Sequence, residues 1–147
     1  MEAIYSDLTT RAMRILEHGH GSNLRRVIVA VAGAPGSGKS TIAAAVIQAL
    51  NDKAPQPIAV CVPMDGLNLP RAILDELPNR GEAYARRGAP WTFDAEKVID
   101  FVHHLAKSRT ENMGTMLAPS FDHALKDPVE DGISIAEGIS LVLLEGN

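Results

Sequence analysis

Apolar positions along the chain switch between two periods, and the switches mark out its elements. Leu8, Ala12, Ile15 and Leu16 recur at helical spacing, so residues Ser6 to Glu17 predict an amphipathic helix, with Ser6 or Asp7 as its cap. Gly19, Gly21 and Ser22 then break the pattern. Arg26 to Ala32 is a β-branched apolar run of the kind that forms a buried parallel strand. From Thr41 to Leu50 the spacing returns to helix, with Ile42, Val46 and Leu50 on one face. Ile58 to Val62 predicts a second buried strand, and Ser140 to Leu144 a third.

Between these strands the pattern is more varied. Arg71 to Leu77 reads as a short helix carrying Ile73 and Leu77, ended by Pro78-Asn79-Arg80-Gly81. Asp94 to Lys107 is a longer one, with Asp94 as N-cap and Val98, Phe101, Val102 and Leu105 as its buried stripe. Ser108 to Gly114 is polar loop, Thr115 to Pro119 a short extended segment, Asp127 to Gly132 an acidic turn-rich connection, and Ile133 to Ala136 an exposed strand. Strands alternating with helices predict an α/β fold around a parallel sheet flanked by helices in three layers. The expected division is an N-terminal helix and connection over 1–22, then a nucleotide-binding domain over 23–147.

The turn between the first strand and the second helix carries the chemistry. Gly33-Ala34-Pro35-Gly36-Ser37-Gly38-Lys39-Ser40-Thr41 matches G-x-x-x-x-G-K-[ST], the phosphate-binding loop or Walker A motif, in the strand–loop–helix context that the motif requires. Its glycines allow backbone conformations that a Cβ blocks, so successive N–H groups can converge on phosphate oxygens at the positive end of a helix. Lys39 is placed to bridge the terminal phosphates of a nucleoside triphosphate, and the Ser40 hydroxyl to ligate Mg²⁺. The second strand delivers Asp65-Gly66 at its carboxyl end, where open α/β sheets bind ligands. Spacing alone leaves Asp65 equally a turn residue. The third strand closes on Glu145, the pattern of a second Mg²⁺-site carboxylate.

Composition narrows the partners. The 147 residues suffice for one domain with a core, and their 46% hydrophobic content is ordinary for a soluble globular protein. A net charge of −4 argues against a general nucleic-acid or anionic-membrane surface, so phosphate affinity must be local to the loop. The single cysteine, Cys61, excludes an internal disulfide and fits a reducing compartment; within an apolar strand it reads as a buried, inert thiol. No run has the length of a membrane span, and the cytoplasm is the expected location. His18 and His20 flank a polar break, and His103 and His104 point to different sides of one helix; all four read as solvated or structural rather than metal ligands.

Five motifs then stand in one order: Gly33 to Thr41, Met64-Asp65-Gly66-Leu67-Asn68-Leu69, Arg87-Gly88-Ala89-Pro90-Trp91-Thr92-Phe93-Asp94, Pro119-Ser120-Phe121-Asp122-His123 and Leu144-Glu145-Gly146-Asn147. The set resembles the superfamily of uridine kinase, phosphoribulokinase and bacterial-type pantothenate kinase, from about Val27 to the end. The resemblance implies ATP- and Mg²⁺-dependent phosphoryl transfer to a small-molecule hydroxyl. On it, Asp65 is the general base, Ser40 and Glu145 position Mg²⁺, and Arg87, Phe121 and His123 lie in the acceptor pocket. The related branch reads Met-Asp-Gly-Phe-His where this chain has Leu67 and Asn68 after Gly66. It also continues past Glu-Gly-Asn with more strands, an arginine-bearing lid helix and an adenine-binding loop, a part of the fold missing from these 147 residues. A sheet cut there leaves an edge and a face for a second copy or a partner to cover. Two other readings stay open: a non-catalytic nucleotide-binding remnant, and a bare NTPase whose acceptor is water.

Overall fold

The computed structural model describes residues 2–19, 26–108 and 113–146. Three strands form a parallel sheet: β1 (Val27–Ala32), β2 (Ala59–Pro63) and β5 (Leu141–Gly146), with β5 in the centre. Two more, β3 (Met116–Asp122) and β4 (Asp127–Ile135), pair as an antiparallel hairpin. The helices are α1 (Glu2–Gly19), α2 (Lys39–Asn51), α3 (Arg71–Glu76), α4 (Arg80–Ala85) and α5 (Ala95–Lys107).

The central strand shows why the chain makes three layers. Successive side chains of a strand point to opposite faces. Leu141 and Leu143 pack with Ala12 and Leu16 of α1 and with Ala43, Val46 and Leu50 of α2. Val142 and Leu144 pack on the other face with Phe101 and Leu105 of α5 and with Ala118 and Ile135 of the hairpin. One outer layer is therefore helical, while the other is shared by a helix and a hairpin. Ala12 and Leu16 of helix α1 are buried in the same cluster as α2.

Several expectations hold in detail. The Asp94 carboxylate caps α5, accepting a hydrogen bond from the Lys97 N–H at 3.0 Å. Leu50 and Leu105 are wholly buried on the predicted faces. His18, His103 and His104 are exposed. His20, the Gly21 and Ser22 break, and residues 109–112 of the predicted loop lie outside the described residues.

Other expectations are corrected. Helix α1 begins at Glu2, so Ser6 and Asp7 sit inside it, and Asp7 pairs with Arg11 at 2.9 Å instead of capping. Ile15 and Ile73 are exposed, because Leu16 and Leu74 take the inward positions. Arg80 and Gly81 open a helix, α4, that turns Ala83 into the core. The acidic stretch from Asp127 is a strand: its polar residues face solvent while pairing with β3 supplies its backbone hydrogen bonds. Ile135, expected on an exposed strand, is buried under α5. Cys61 is half-buried, on an edge strand.

Arg26, just before β1, is 5% exposed. Its guanidinium donates to the carbonyls of Ile139 and Ala136, each at 3.0 Å, and to the Ser108 hydroxyl. It thereby fastens the start of β1 to the end of α5 and the entry to β5.

Candidate functional site

Parallel pairing sets the site, because it brings the carboxyl ends of all three strands to one side of the sheet. Ala32 stands opposite Gly146, and Pro63 opposite Glu145. The phosphate-binding loop follows β1, the Asp65 turn follows β2, and Glu145 ends β5. Three segments far apart in sequence thus meet at one row of the sheet.

The loop has the conformation its glycines were expected to provide. Gly36 and Gly38 have φ of 76° and 87°, in the left-handed region where a side chain is strained. The Gly33 N–H donates to the Gly146 carbonyl at 3.3 Å, joining the loop to the end of β5. The Lys39 ammonium donates to the Ala34 carbonyl at 3.1 Å, across the mouth of the loop. The Ser40 hydroxyl lies 3.1 and 3.2 Å from the two Glu145 carboxylate oxygens. A hydroxyl and a carboxylate side by side are hard oxygen donors, and with phosphate oxygens they make the partial shell that Mg²⁺ takes. That donor set fits the metal.

Asp65 sits in a 3-10 turn, Met64–Leu67, directly after β2. The turn presses against β3 so closely that a Cβ on Gly66 would come within 2.5 Å of the Pro119 carbonyl oxygen. Leu67 is fully buried in the core. Asn68, 5% exposed, donates from its side chain to the Asp65 carbonyl at 3.0 Å and accepts from the Thr92 hydroxyl at 3.4 Å. At the two positions after Gly66 this chain thus has a core leucine and an amide that braces the turn.

Arg87 holds the far side. Its guanidinium donates to the Leu69 carbonyl at 3.0 Å and to the Lys126 carbonyl, and it lies 3.5 Å from the Asp127 carboxylate. It also stacks over the Phe121 ring, 5.1 Å from the centroid. Its Nε is buried with no hydrogen-bond partner. Phe121 meets His123 edge to face, with ring centroids 5.2 Å apart.

One open cleft of about 410 Å³ gathers these groups. Lys39, Ser40 and Glu145 line one wall; Asp65, Arg87, Phe121 and His123 line the other. Every site residue singled out in the sequence outside the loop therefore borders the same cavity. Sequence reading gave no site role to five lining residues, Pro63, Asn68, Gly88, Lys126 and Gly146. Asn68 was visible as a departure from the related motif; Lys126 carried no signal, because only the hairpin brings it to the cleft. Beside the site, burial pushes the Cys61 thiol up to about 11, with the Glu145 charge adding to the shift. That thiol stays protonated and unreactive near neutral pH.

A parallel sheet with this loop on its first strand and a carboxylate on the adjacent one defines a P-loop NTPase fold. Comparison with known proteins agrees. The chain is 40% identical over 143 residues to a Schizosaccharomyces pombe protein provisionally named a uridine kinase, a match spanning 97% of this chain and 57% of that one. Among solved structures it matches YFH7 of Saccharomyces cerevisiae, described as a P-loop kinase with a circular permutation, with a TM-score of 0.84 at 24% identity over 97% of this chain and 73% of that one. A kinase from Silicibacter sp. TM1040, provisionally assigned to fructose transport, matches with a TM-score of 0.76 at 31% identity over 95% of this chain and 63% of that one. No protein-family model matches. Over nearly its whole length the chain is similar to P-loop kinases, including the relative provisionally named a uridine kinase. It spans about half the length of the curated relatives it matches. Among the described residues, no helix is long and apolar enough to cross a membrane.

Proposed function

We propose that this chain carries the phosphoryl-transfer centre of an ATP- and Mg²⁺-dependent kinase that phosphorylates a hydroxyl of a small molecule, in the range of nucleosides, sugars and pantothenate-like compounds. The observation that carries this reading is the single cleft shared by Lys39, the Ser40–Glu145 pair and Asp65. Its volume of about 410 Å³ suits a small ligand. Lys39 and the loop N–H groups hold the phosphates, while Ser40 and Glu145 hold Mg²⁺, which neutralises phosphate charge when bound. The acceptor oxygen attacks the γ-phosphorus, the bond to the β–γ bridging oxygen breaks, and ADP leaves with that electron pair. The hydroxyl proton passes to the Asp65 carboxylate. An aspartate serves despite its low pKa because the proton is lost late, once the oxygen is already attacking. Positioning and charge neutralisation supply most of the rate in such reactions.

The test is acceptor-dependent ADP formation by the full-length protein. Asp65→Asn is expected to lower turnover by about 10²- to 10⁴-fold, the range for a general base, while a fluorescent nucleotide still binds. Unchanged turnover in Asp65→Asn removes the base assignment. Nucleotide binding that needs Lys39 but supports no turnover marks a non-catalytic nucleotide binder instead. ADP release indifferent to added hydroxyl compounds marks a bare NTPase.

A further inference from the structure

The acceptor wall carries two cationic side chains, Arg87, which faces the Asp127 carboxylate, and Lys126. Beyond Asp65, which the reaction itself uses, the ionisable side chains lining that wall are Arg87, His123 and Lys126. Nearby carboxylates are engaged elsewhere. Asp122 accepts the Ala124 and Leu125 N–H groups at 2.8 and 2.9 Å, forming the turn itself. Asp127 accepts the Arg71 N–H at 2.8 Å and meets Arg87 at 3.5 Å. Among the described residues, the Lys126 ammonium has no ion-pair partner.

Backbone geometry singles out the same residue. Lys126 has φ of 55°, in the left-handed region that disfavours most L-residues. The other described non-glycine residue with positive φ is Asp131, of a type that tolerates it. Glycine or asparagine is the easier choice for that turn. A lysine kept there at a conformational cost, with its carbonyl fixed by Arg87 and its side chain bordering the cleft, is a strained residue at a binding site.

We propose that Lys126, supported by Arg87 and His123, binds an anionic group of the acceptor, so that the phosphorylated molecule is a hydroxy compound bearing a carboxylate or phosphate rather than a neutral nucleoside or sugar. This rests on the kinase reading for its reaction, but the binding preference can be measured without turnover. The experiment is calorimetry on the full-length protein with Mg²⁺ and ADP, using two series of probes: glycerol, glycerate and glycerol 3-phosphate; ribose, ribonate and ribose 5-phosphate. At least one anionic member is expected to bind about tenfold or more tightly than its neutral parent, as one charge-assisted contact provides. The preference disappears in Lys126→Met and survives in Lys126→Arg. Selectivity for the acids identifies a carboxylate; selectivity for the esters identifies a phosphate. Absence of any anionic preference, or a preference untouched by Lys126→Met, overturns the proposal. Turnover measured in parallel separates the two claims. Lys126-dependent binding without ADP formation removes the kinase reading alone, whereas turnover without that preference removes the anion site alone.

Discussion

The proposed nucleotide wall of the cleft is lined by Pro35, Gly36, Lys39 and Ser40, all from one continuous loop, and by Glu145 from a neighbouring strand. The proposed acceptor wall is drawn from the Asp65 turn, the Arg87 segment and the tip of the β3–β4 hairpin. The first is held by backbone: strand β1, helix α2 and two glycines with positive φ. The second is held by side chains reaching across the chain, with Arg87 on the Leu69 and Lys126 carbonyls and Asn68 on the Asp65 carbonyl. A wall of local backbone keeps one task, because any change to it disturbs the phosphate cradle. A wall of tertiary side-chain contacts can change its ligand by changing a few residues. The kinases this chain matches carry names that point to different acceptors, in keeping with that division of labour.

The sharpest break of the comparison is Lys39→Met. A contact from an ammonium to phosphate contributes about 1.5–3 kcal/mol, so nucleotide affinity is expected to fall by roughly 10- to 100-fold. Because the nucleotide wall is local, the acceptor wall should not notice. Fluorescence titration with a labelled nucleotide measures the first effect, and hydrogen exchange across the hairpin measures the second. Lost protection at residues 116–135 would show that the two walls are one cooperative unit.

The same division explains what the sequence disclosed. Phosphate loop, strand pattern and helix faces were legible because each is set by neighbours in sequence: Val46 and Leu50 by helical spacing, Asp94 by its cap position. The convergence of Ser40 with Glu145 was legible only through motif order, since their 3.1 Å contact is made by parallel pairing of β1 with β5. Helix α4 was hidden because Arg80-Gly81 reads locally as a terminator, and packing of Ala83 overrides that signal. Strand β4 was hidden because Asp127, Glu130 and Asp131 resemble a loop until a hairpin partner supplies their backbone hydrogen bonds. Lys126 was invisible for the same reason: nothing local says that a hairpin tip reaches a cleft.

A smaller effect, on stability, is expected from Gly66→Ala. Its Cβ would lie 2.5 Å from the Pro119 carbonyl oxygen and 2.6 Å from the carbonyl carbon, and neither can swing away as a side-chain tip can. Overpacking of this kind costs about 1–3 kcal/mol. Urea unfolding of the variant against the parent measures it. If the strain is relieved by the Asp65 turn lifting off β3, turnover falls more than stability does. If β3 yields instead, stability falls and the turn keeps its geometry. Either result says which wall element is the stiffer. An unchanged midpoint would mean that turn and strand are not in contact in solution.

The weakest joint of the acceptor wall is charged, and salt exposes it. Asp127 accepts the Arg71 N–H at 2.8 Å and faces Arg87 at 3.5 Å, with about a third of its side chain exposed. Asp127→Asn keeps an acceptor for the N–H and removes the charge. An ion pair this accessible contributes about 0.2–1 kcal/mol at low ionic strength. The stability difference between parent and variant should therefore be small in dilute buffer and vanish by about 1 M salt, where screening acts within roughly 3 Å. A difference that persists at high salt would mean that the Arg71 hydrogen bond, not the Arg87 pair, holds the hairpin tip. The Arg87 guanidinium would then have more charge to offer the cleft than its geometry suggests.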